Sequence, residues 1–281
     1  MIVSNMGFAT KVAHRLSDPV FYLKRSRQLL RMFRQFRDSP LEISQDDVKS
    51  VANALVFVAH PDDETFCSGL ICALKANGSE VTVICMTRGE GGPTGGGKRE
   101  DLGRVREKEM KAACDALEVD RLVFLDHVDP LGGAYRVFAP EVSVEQLADE
   151  IRPHFSEVDL VISHGSSGEY WHAAHLLAHA AVRKVLGEDG TGSTAWITFL
   201  ARDGDHLLPH LINEDDEAAL RFDASGFHAK RLSALDCHAT QRSLFRRFAG
   251  GETDDFVQCT SVESYCLQSG NIDAIRDRGS D

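Results

Sequence analysis

The residues best suited to chemistry in this chain form one short turn, His-Pro-Asp-Asp-Glu at positions 60–64. The turn follows the apolar run 54–59 and precedes residues 65–77, whose pattern predicts a helix. One imidazole and three carboxylates therefore gather where a buried strand passes into a helix. A divalent metal that needs ligands, and a water that needs a base, give a chemical reason for this concentration of acid.

The turn can supply two metal ligands and one further carboxylate. Asp62 and Asp63 are adjacent, so their side chains tend to diverge, and one can bind metal while the other faces the substrate. His60 and Asp63 then need a third ligand from another strand end, with one coordination position left open for water.

A second group of candidate ligands follows the apolar run 158–163. His172 and His175 are three residues apart at the start of a predicted helix, so both can point into one cleft. His164 and His179 lie close by in the sequence, and spacing alone does not choose among the four histidines. The combination of two ligand-bearing strand ends predicts a metal site.

From residue 54 onward, short apolar runs alternate with helical patterns. This alternation predicts an α/β fold, a Rossmann-like, mostly parallel sheet with helices on both faces. In such sheets ligands bind beyond the carboxyl ends of the strands, where both candidate clusters lie. The predicted strands are 54–59, 80–86, 121–126, 158–163 and 194–201, and the predicted helices are 65–77, 101–117, 143–155, 172–186 and 227–248.

Two segments between these elements need a separate interpretation. The stretch 202–226 is acidic and irregular, which predicts an excursion or a lid. Residues 89–97 are glycine-rich but lack the Gly-Lys-Ser/Thr ending of a phosphate loop, because Arg99 follows Lys98. We interpret them as a flexible active-site loop.

Composition narrows the class of protein. The 281 residues carry a formal net charge of −12, which argues against nucleic acid as a partner. The seven cysteines contain no Cys-x-x-Cys pair, which favours reduced thiols over a disulfide framework. Because the first residues also lack the pattern of a signal peptide, we expect a cytoplasmic location.

The N-terminal 50 residues differ from the rest in charge. They hold nine Lys or Arg against five Asp or Glu, and 19–38 have the pattern of a basic amphipathic helix. The predicted organisation is a basic amphipathic helical extension at 1–50 and one large α/β domain at 51–281. The 19–38 helix could contact an anionic membrane surface, but we favour packing on the acidic body of its own chain.

Several motifs in order resemble one known family. The pentapeptide 60–64 matches the signature of the PIG-L/LmbE-like N-acetylglucosaminyl deacetylases. The resemblance runs through most of residues 53–268 and includes the glycine-rich 87–92, Arg-Glu-Lys-Glu at 106–109, Tyr-Trp-His-Ala-Ala-His at 170–175 and the late segment 230–241.

The resemblance implies a role for each matching residue. It implies zinc bound by His60, Asp63 and His175, with Asp62 as the general base that activates water. By the same resemblance, His172 stabilises the oxyanion, and Tyr170 either adds a donor there or packs as an aromatic beside Trp171. Arg88 and Arg106 are candidates for substrate binding, although Arg106 could instead be paired with Glu90 or Glu109. Glu64 is expected to orient a histidine, and His238 either supports the site or packs in the core.

The resulting expectation is a zinc-dependent hydrolase that removes acetyl from an N-acetylglucosamine-type sugar conjugate. One alternative is an amidase acting on a larger acyl or thiol-sugar conjugate. Another is a sugar-binding module without turnover, although such a module would not need a base beside a metal. The sequence is silent on the group attached to the sugar and on the oligomeric state.

Overall fold

The computed structural model describes residues 40–131, 138–189, 194–203, 208 and 210–271. Its strands are β1 (Leu41–Ile43), β2 (Asn53–Val58), β3 (Glu80–Thr87), β4 (Arg121–His127), β5 (Leu160–Ser163), β6 (Ala195–Phe199), β7 (Ala201–Arg202), β8 (Asn213–Glu217), β9 (Leu220–Asp223) and β10 (Val262–Ser269). Its α-helices are α1 (Ser68–Ala76), α2 (Leu102–Ala116), α3 (Val144–Ile151), α4 (Ala173–Asp189), α5 (His228–Cys237), α6 (Arg242–Ala249) and α7 (Thr253–Cys259).

Eight strands form the main sheet in the order β1-β9-β10-β6-β5-β2-β3-β4. All neighbours pair in parallel except β10, which runs antiparallel to both β6 and β9. The predicted mostly parallel α/β fold is therefore confirmed. The chain moves outward from β2 to β3 and β4 on one side, and from β5 to β6 on the other. The boundary between β2 and β5 is thus a topological switch point, where open α/β sheets bind their ligands.

Strand β2 is apolar at successive positions because its side chains pack in hydrophobic clusters on both faces of the sheet. Val56 and Val58 belong to the cluster that packs against α1, α2 and the C-terminal helices. Leu55 and Phe57 point to the opposite face and pack against α3 and α4. Because alternate strand residues face opposite sides of a sheet, helices on both faces require apolar residues at every position.

The structure corrects the interpretation of 202–226 as an irregular excursion. Strands β8 and β9 lie in this segment, and β9 pairs with both β1 and β10 in the main sheet. The sequence of β8 is polar and acidic, so it lacks the apolar pattern by which a strand is predicted. Several of its side chains make the hydrogen bonds described below.

The structure also divides the predicted helix 227–248 into α5 and α6. The helix breaks at His238, whose backbone has φ −80° and ψ 58°. The His238 side chain is fully buried and donates to Glu64 Oε1 over 2.5 Å. A tertiary hydrogen bond thus holds a kink that helical periodicity does not reveal.

The predicted extension at 1–50 includes residues that the structure describes. Strand β1 pairs in parallel with β9, so residues 41–43 belong to the sheet-bearing body. A 3₁₀ turn, Asp46–Val48, follows β1. The amphipathic segment 19–38 lies outside the described residues. No helix in the described part of the chain is long and apolar enough to cross a membrane.

Candidate metal centre and active-site cleft

The turn after β2, residues 60–67, presents its polar side chains inward. His60, Asp62, Asp63 and Glu64 are each less than 10% exposed. The His60 amide donates to Asp63 Oδ2 over 2.8 Å, which fixes this carboxylate against the turn. Burial opposes the ionisation of Asp63, but the imidazoles of His175 and His164 hold its pKa well below the usual range.

Asp62 occupies a strained backbone conformation, with φ 112° in the left-handed region. Such a conformation costs about 1–3 kcal/mol for a residue with a side chain and persists only where neighbours enforce it. Here the Asp62 amide donates to Glu64 Oε2 over 3.0 Å, and Thr65 Oγ1 donates to the Asp62 carbonyl over 2.6 Å. The strain turns the Asp62 side chain into the cleft while Asp63 faces the histidines.

The turn after β5, residues 164–171, is organised by Glu169. This carboxylate is fully buried and accepts hydrogen bonds from His175 Nδ1 at 2.5 Å and His164 Nδ1 at 3.0 Å. Burial alone would raise the pKa of Glu169, but the two imidazoles hold it far below its usual value. Because His175 donates through Nδ1, its Nε2 keeps a lone pair for a metal.

Three donor atoms form a small triangle, two from the turn after β2 and one from His175 at the start of α4. His60 Nδ1 lies 3.2 Å from Asp63 Oδ2 and 3.2 Å from His175 Nε2, and His175 Nε2 lies 3.5 Å from Asp63 Oδ2. Donors around a tetrahedral zinc ion, at bond lengths of about 2.0–2.2 Å, lie about 3.3–3.6 Å apart. The three side chains therefore fit one zinc ion.

Two other histidines also approach this triangle. Potential ligand atoms of Asp63, His164 and His175, and likewise of His60, His172 and His175, lie within 4.8 Å of one another. His164 Nε2 accepts the Ala59 amide over 3.0 Å, so its lone pair is already used. This contact favours His60 over His164 as the partner of Asp63 and His175.

The pKa of His60 also reflects the carboxylates around it. Burial disfavours its imidazolium form, but the carboxylates of Asp129 and Asp63 raise its pKa to about 10. Asp129 Oδ1 lies 3.4 Å from His60 Nε2. A cation among these carboxylates would take the place of that proton, since a ligating histidine must be deprotonated at the bound nitrogen.

A cleft of about 250 Å³ opens beside the triangle. His60, Asp62, Asp63, His172 and Tyr170 all line it. Burial is the largest influence on the Asp62 carboxyl and raises its pKa to about 7, although the guanidinium of Arg106 opposes the shift. Asp62 is therefore a carboxylate in the cleft with a pKa suited to accepting a proton near neutral pH.

The structure separates the two arginines that were candidates for substrate binding. Arg106 lines the cleft but is only 3% exposed, and it donates to the carbonyls of Pro61 and Gly89. Its Nη2 lies 3.1 Å from Asp62 Oδ2, so it is paired with this aspartate and not with Glu90 or Glu109. Gly89 is required at its position because a Cβ there would lie 2.1 Å from Arg106 Nη1.

Arg88 does not line the cleft. Its Nε donates to Glu107 over 2.7 Å, and its Nη1 lies 3.3 Å from Asp126 Oδ1. The guanidinium also sits 5.4 Å from the Phe124 ring centre. These contacts anchor α2 to β4, so the structure does not support the prediction that Arg88 binds substrate.

His172 and Tyr170 stand beside the triangle. The His172 ring centre lies 4.7 Å from that of His60 and 4.4 Å from that of His175. Burial, followed by these two imidazoles, lowers the pKa of His172 well below its usual value, which keeps it neutral. Tyr170 packs edge-on against His172 and His175, at 5.6 and 5.4 Å between ring centres.

Four supporting residues escaped the sequence analysis. Asn213 accepts the Glu169 amide and donates to Glu169 Oε1, and Asp216 accepts from both the amide and the hydroxyl of Ser166. Strand β8 carries Asn213 and Asp216, so the acidic segment holds the second turn in place. Glu169 and Asp129 complete the set. None of the four belongs to a motif with a recognisable spacing. Glu64, by contrast, was expected to orient a histidine, and it accepts a hydrogen bond from His238.

Comparison with known proteins agrees with this geometry. The family model described as PIG-L, GlcNAc-PI de-N-acetylase, matches residues 55–186. The 1D-myo-inositol 2-acetamido-2-deoxy-alpha-D-glucopyranoside deacetylase of Mycolicibacterium gilvum is 31% identical over 283 residues, spanning 80% of this chain and 94% of the relative.

Solved structures share the fold at low sequence identity. N,N'-diacetylchitobiose deacetylase from Pyrococcus horikoshii superposes with a TM-score of 0.54 at 16% identity, covering 95% of each chain. GalB, the 4-carboxy-2-hydroxymuconate hydratase from Pseudomonas putida KT2440, has a TM-score of 0.54 at 20% identity, covering 78% of this chain and 97% of its own. Because a deacetylase and a hydratase share the architecture, the fold alone does not choose the reaction.

Proposed function

The chain belongs to the PIG-L family of de-N-acetylases, and from that membership we propose that it removes the acetyl group from an N-acetylglucosamine-type sugar conjugate. The relative from M. gilvum is named for the deacetylation of an acetamido sugar linked to inositol, which makes a small-molecule sugar conjugate the natural class of substrate. The observation that carries the proposal is the donor triangle of His60, Asp63 and His175 beside the carboxylate of Asp62.

We assign His60, Asp63 and His175 as the residues that would hold zinc. When bound, zinc would polarise the acetamide carbonyl and lower the pKa of an attacking water from ~15.7 towards ~7. Glu169 supports this assignment because its hydrogen bond to Nδ1 fixes the ring of His175 and its tautomer.

Asp62 acts as the general base and then as the general acid. With a pKa of about 7, it can take a proton from the attacking water at neutral pH. The same carboxyl then delivers the proton to the departing amine of the sugar. Arg106, 3.1 Å away, keeps the carboxylate aimed into the cleft and is a positioning residue in this scheme.

His172 and Tyr170 supply hydrogen-bond donors for the oxyanion that develops on the carbonyl. A neutral imidazole is a suitable donor, and burial keeps His172 neutral. Its Nδ1 is buried and has no hydrogen-bond partner among the described residues. Tyr170 lines the same cleft and adds a phenol beside the imidazoles.

The direct experiment is a screen of the purified, zinc-loaded protein for acetate release from a panel of N-acetylglucosaminyl conjugates. The proposal expects stoichiometric acetate and free amine from at least one conjugate. Release of an acyl group larger than acetyl, with none from the acetamides, would favour an amidase. Binding without release of any acyl group would favour a non-catalytic sugar-binding module.

Two further assignments complete the proposal. All seven cysteines are free thiols, which suits a reducing, cytoplasmic location. Contact of 19–38 with an anionic membrane is tested by liposome co-sedimentation of the full chain and of a form lacking residues 1–38. Loss of pelleting on truncation supports membrane contact, whereas no pelleting by either form removes it.

A further inference from the structure

Part of the cleft lining takes no part in the proposed chemistry. This aromatic wall consists of apolar and aromatic side chains drawn from three parts of the chain: Phe66, Phe138, Leu244, Phe245 and Phe248. Among the residues that line the cleft on α6, Arg247 is the charged one. A cleft for a small polyhydroxylated group would instead need several hydrogen-bonding side chains in this part.

The aromatic wall begins directly beside the reacting groups. Tyr170 connects the two regions, with its ring centre 5.4 Å from that of His175 and 6.5 Å from that of Phe248. Phe248 and Leu244 are four residues apart on α6 and so share one face of this helix. The reacting groups and the aromatic wall are therefore neighbours in the cleft.

Exposed apolar residues lie next to cleft residues in the sequence. We use the term apolar rim for Phe138, which lines the cleft, and for Val128, Leu131 and Trp171, which are sequence neighbours of lining residues. Their exposed fractions are 42%, 66%, 62% and 46%, and they are four of the six large apolar side chains that are exposed among the described residues. Exposed apolar side chains near a cleft are typical of a surface that a ligand covers.

We propose that the aromatic wall and the apolar rim form a subsite for an apolar group, an alkyl chain or an aromatic ring, attached to the acetamido sugar. This inference rests on the proposed deacetylation and names its substrate class. Leu244 and Phe138 are then residues that determine specificity, and their contacts are made equally in the ground state and the transition state. The effect of the apolar group falls on KM more than on kcat.

The test compares methyl, octyl and phenyl N-acetylglucosaminides, in both anomers, as substrates of the zinc-loaded protein. We expect kcat/KM for the octyl or the phenyl glycoside to exceed that for the methyl glycoside about tenfold or more, mainly through KM. A preference for octyl over phenyl identifies an alkyl chain, and the reverse identifies an aromatic ring. Equal kcat/KM values for all three would overturn the inference.

Two variants locate the effect. Leu244→Ala removes part of the wall, and Phe138→Ser removes an exposed rim residue whose loss does not threaten folding. Each is expected to reduce the ratio of octyl to methyl kcat/KM about fivefold. The matched control is Val105→Ala on α2, which is 38% exposed and does not line the cleft, and it should leave the ratio unchanged. A ratio that persists in both variants would place the preference elsewhere and contradict the proposal.

A binding experiment separates this inference from the proposed reaction. If no acetate is released from any glycoside, the proposed function fails, and calorimetry with octyl and methyl glucoside still tests the subsite. We expect the octyl ligand to bind at least about tenfold more tightly, with a negative heat-capacity change that marks apolar burial. Equal affinities would overturn the subsite whatever the outcome for catalysis.

Discussion

The two turns at the switch point contribute to one site in different ways. The turn after β2 carries a ligand pair and a base within four consecutive residues, His60 to Asp63, and holds them largely by its own backbone. The turn after β5 supplies no ligand itself but orients His175, on α4, through Glu169, which is itself fixed by Asn213 from β8. The comparison shows that a short local motif can set the geometry of two ligands and a base. The third ligand, His175, depends instead on side chains that are distant in the sequence.

The largest expected effect comes from breaking the second turn's link to the metal. His175→Ala removes one corner of the donor triangle, so we expect loss of stoichiometric zinc and of all measurable acetate release. Zinc content is measured by elemental analysis after dialysis. His179→Ala, one turn later on α4, is the control and should keep its zinc, because His179 contacts the His164 carbonyl and the Trp196 ring and does not belong to the donor triangle. Full zinc in His175→Ala would show that the ligand set is wrong.

The next effect tests the base supplied by the first turn. Asp62→Asn keeps the three metal donors and removes the proton acceptor, so zinc should stay stoichiometric while kcat falls ~10²–10⁴-fold. Elemental analysis and acetate release on the same preparation separate the two roles. An Asp62→Asn protein with wild-type kcat would rule out the assignment of the base.

A smaller effect tests the support of the second turn. Glu169→Gln keeps the shape of the side chain but weakens its hydrogen bonds to His175 and His164, and we expect zinc affinity to fall ~10–100-fold. Competition with a chelator of known affinity measures the change. Asp126→Asn, an exposed carboxylate in contact with Arg88, is the control and should not change zinc affinity. Unaltered affinity in Glu169→Gln would show that His175 is oriented by other contacts.

The smallest expected effect is a shift in the pH dependence of kcat/KM, and it distinguishes Arg106 from Arg88. Asp62 must be ionised to act as base, so kcat/KM should fall as the pH drops below about 7, the pKa of this carboxyl. Arg106 lowers that pKa, and in Arg106→Gln the acid limb should move to higher pH. Arg106→Lys keeps the charge and should move it less, which provides a readable variant if the glutamine protein folds poorly. Arg88→Gln should leave the acid limb of the pH profile unchanged. A shift in Arg88→Gln equal to that in Arg106→Gln would contradict the assignment of Arg106, and not Arg88, as the partner of Asp62.

The sequence predicted the first turn well because its chemistry is contiguous. The strand, the pentapeptide and the helix after it follow one another, so periodicity and residue type were enough to place His60, Asp62 and Asp63 at a strand end. The parallel sheet was predictable for the same reason, since its buried strands are uninterrupted apolar runs.

The second turn could be predicted only in part. The His172/His175 pair was visible from spacing, but the choice against His164 depends on one backbone contact, from the Ala59 amide. Strand β8 reads as a solvated acidic loop because its polar side chains are satisfied by Glu169, Ser166 and their neighbours only in the folded chain. The kink at His238 likewise depends on a tertiary bond to Glu64. Long-range polar contacts leave no periodic trace in a sequence.

The central claim is that the turn after β2 and the start of α4, which follows the turn after β5, close around one cation while Asp62 remains unliganded. Anomalous diffraction from crystals of the zinc-loaded protein, recorded at the zinc absorption edge, tests this directly. We predict one peak within about 2.0–2.2 Å of His60 Nδ1, Asp63 Oδ2 and His175 Nε2, with Asp62 outside the coordination sphere. A peak coordinated by His164 or Asp62, or one that fails to touch both the turn after β2 and α4, would contradict the account.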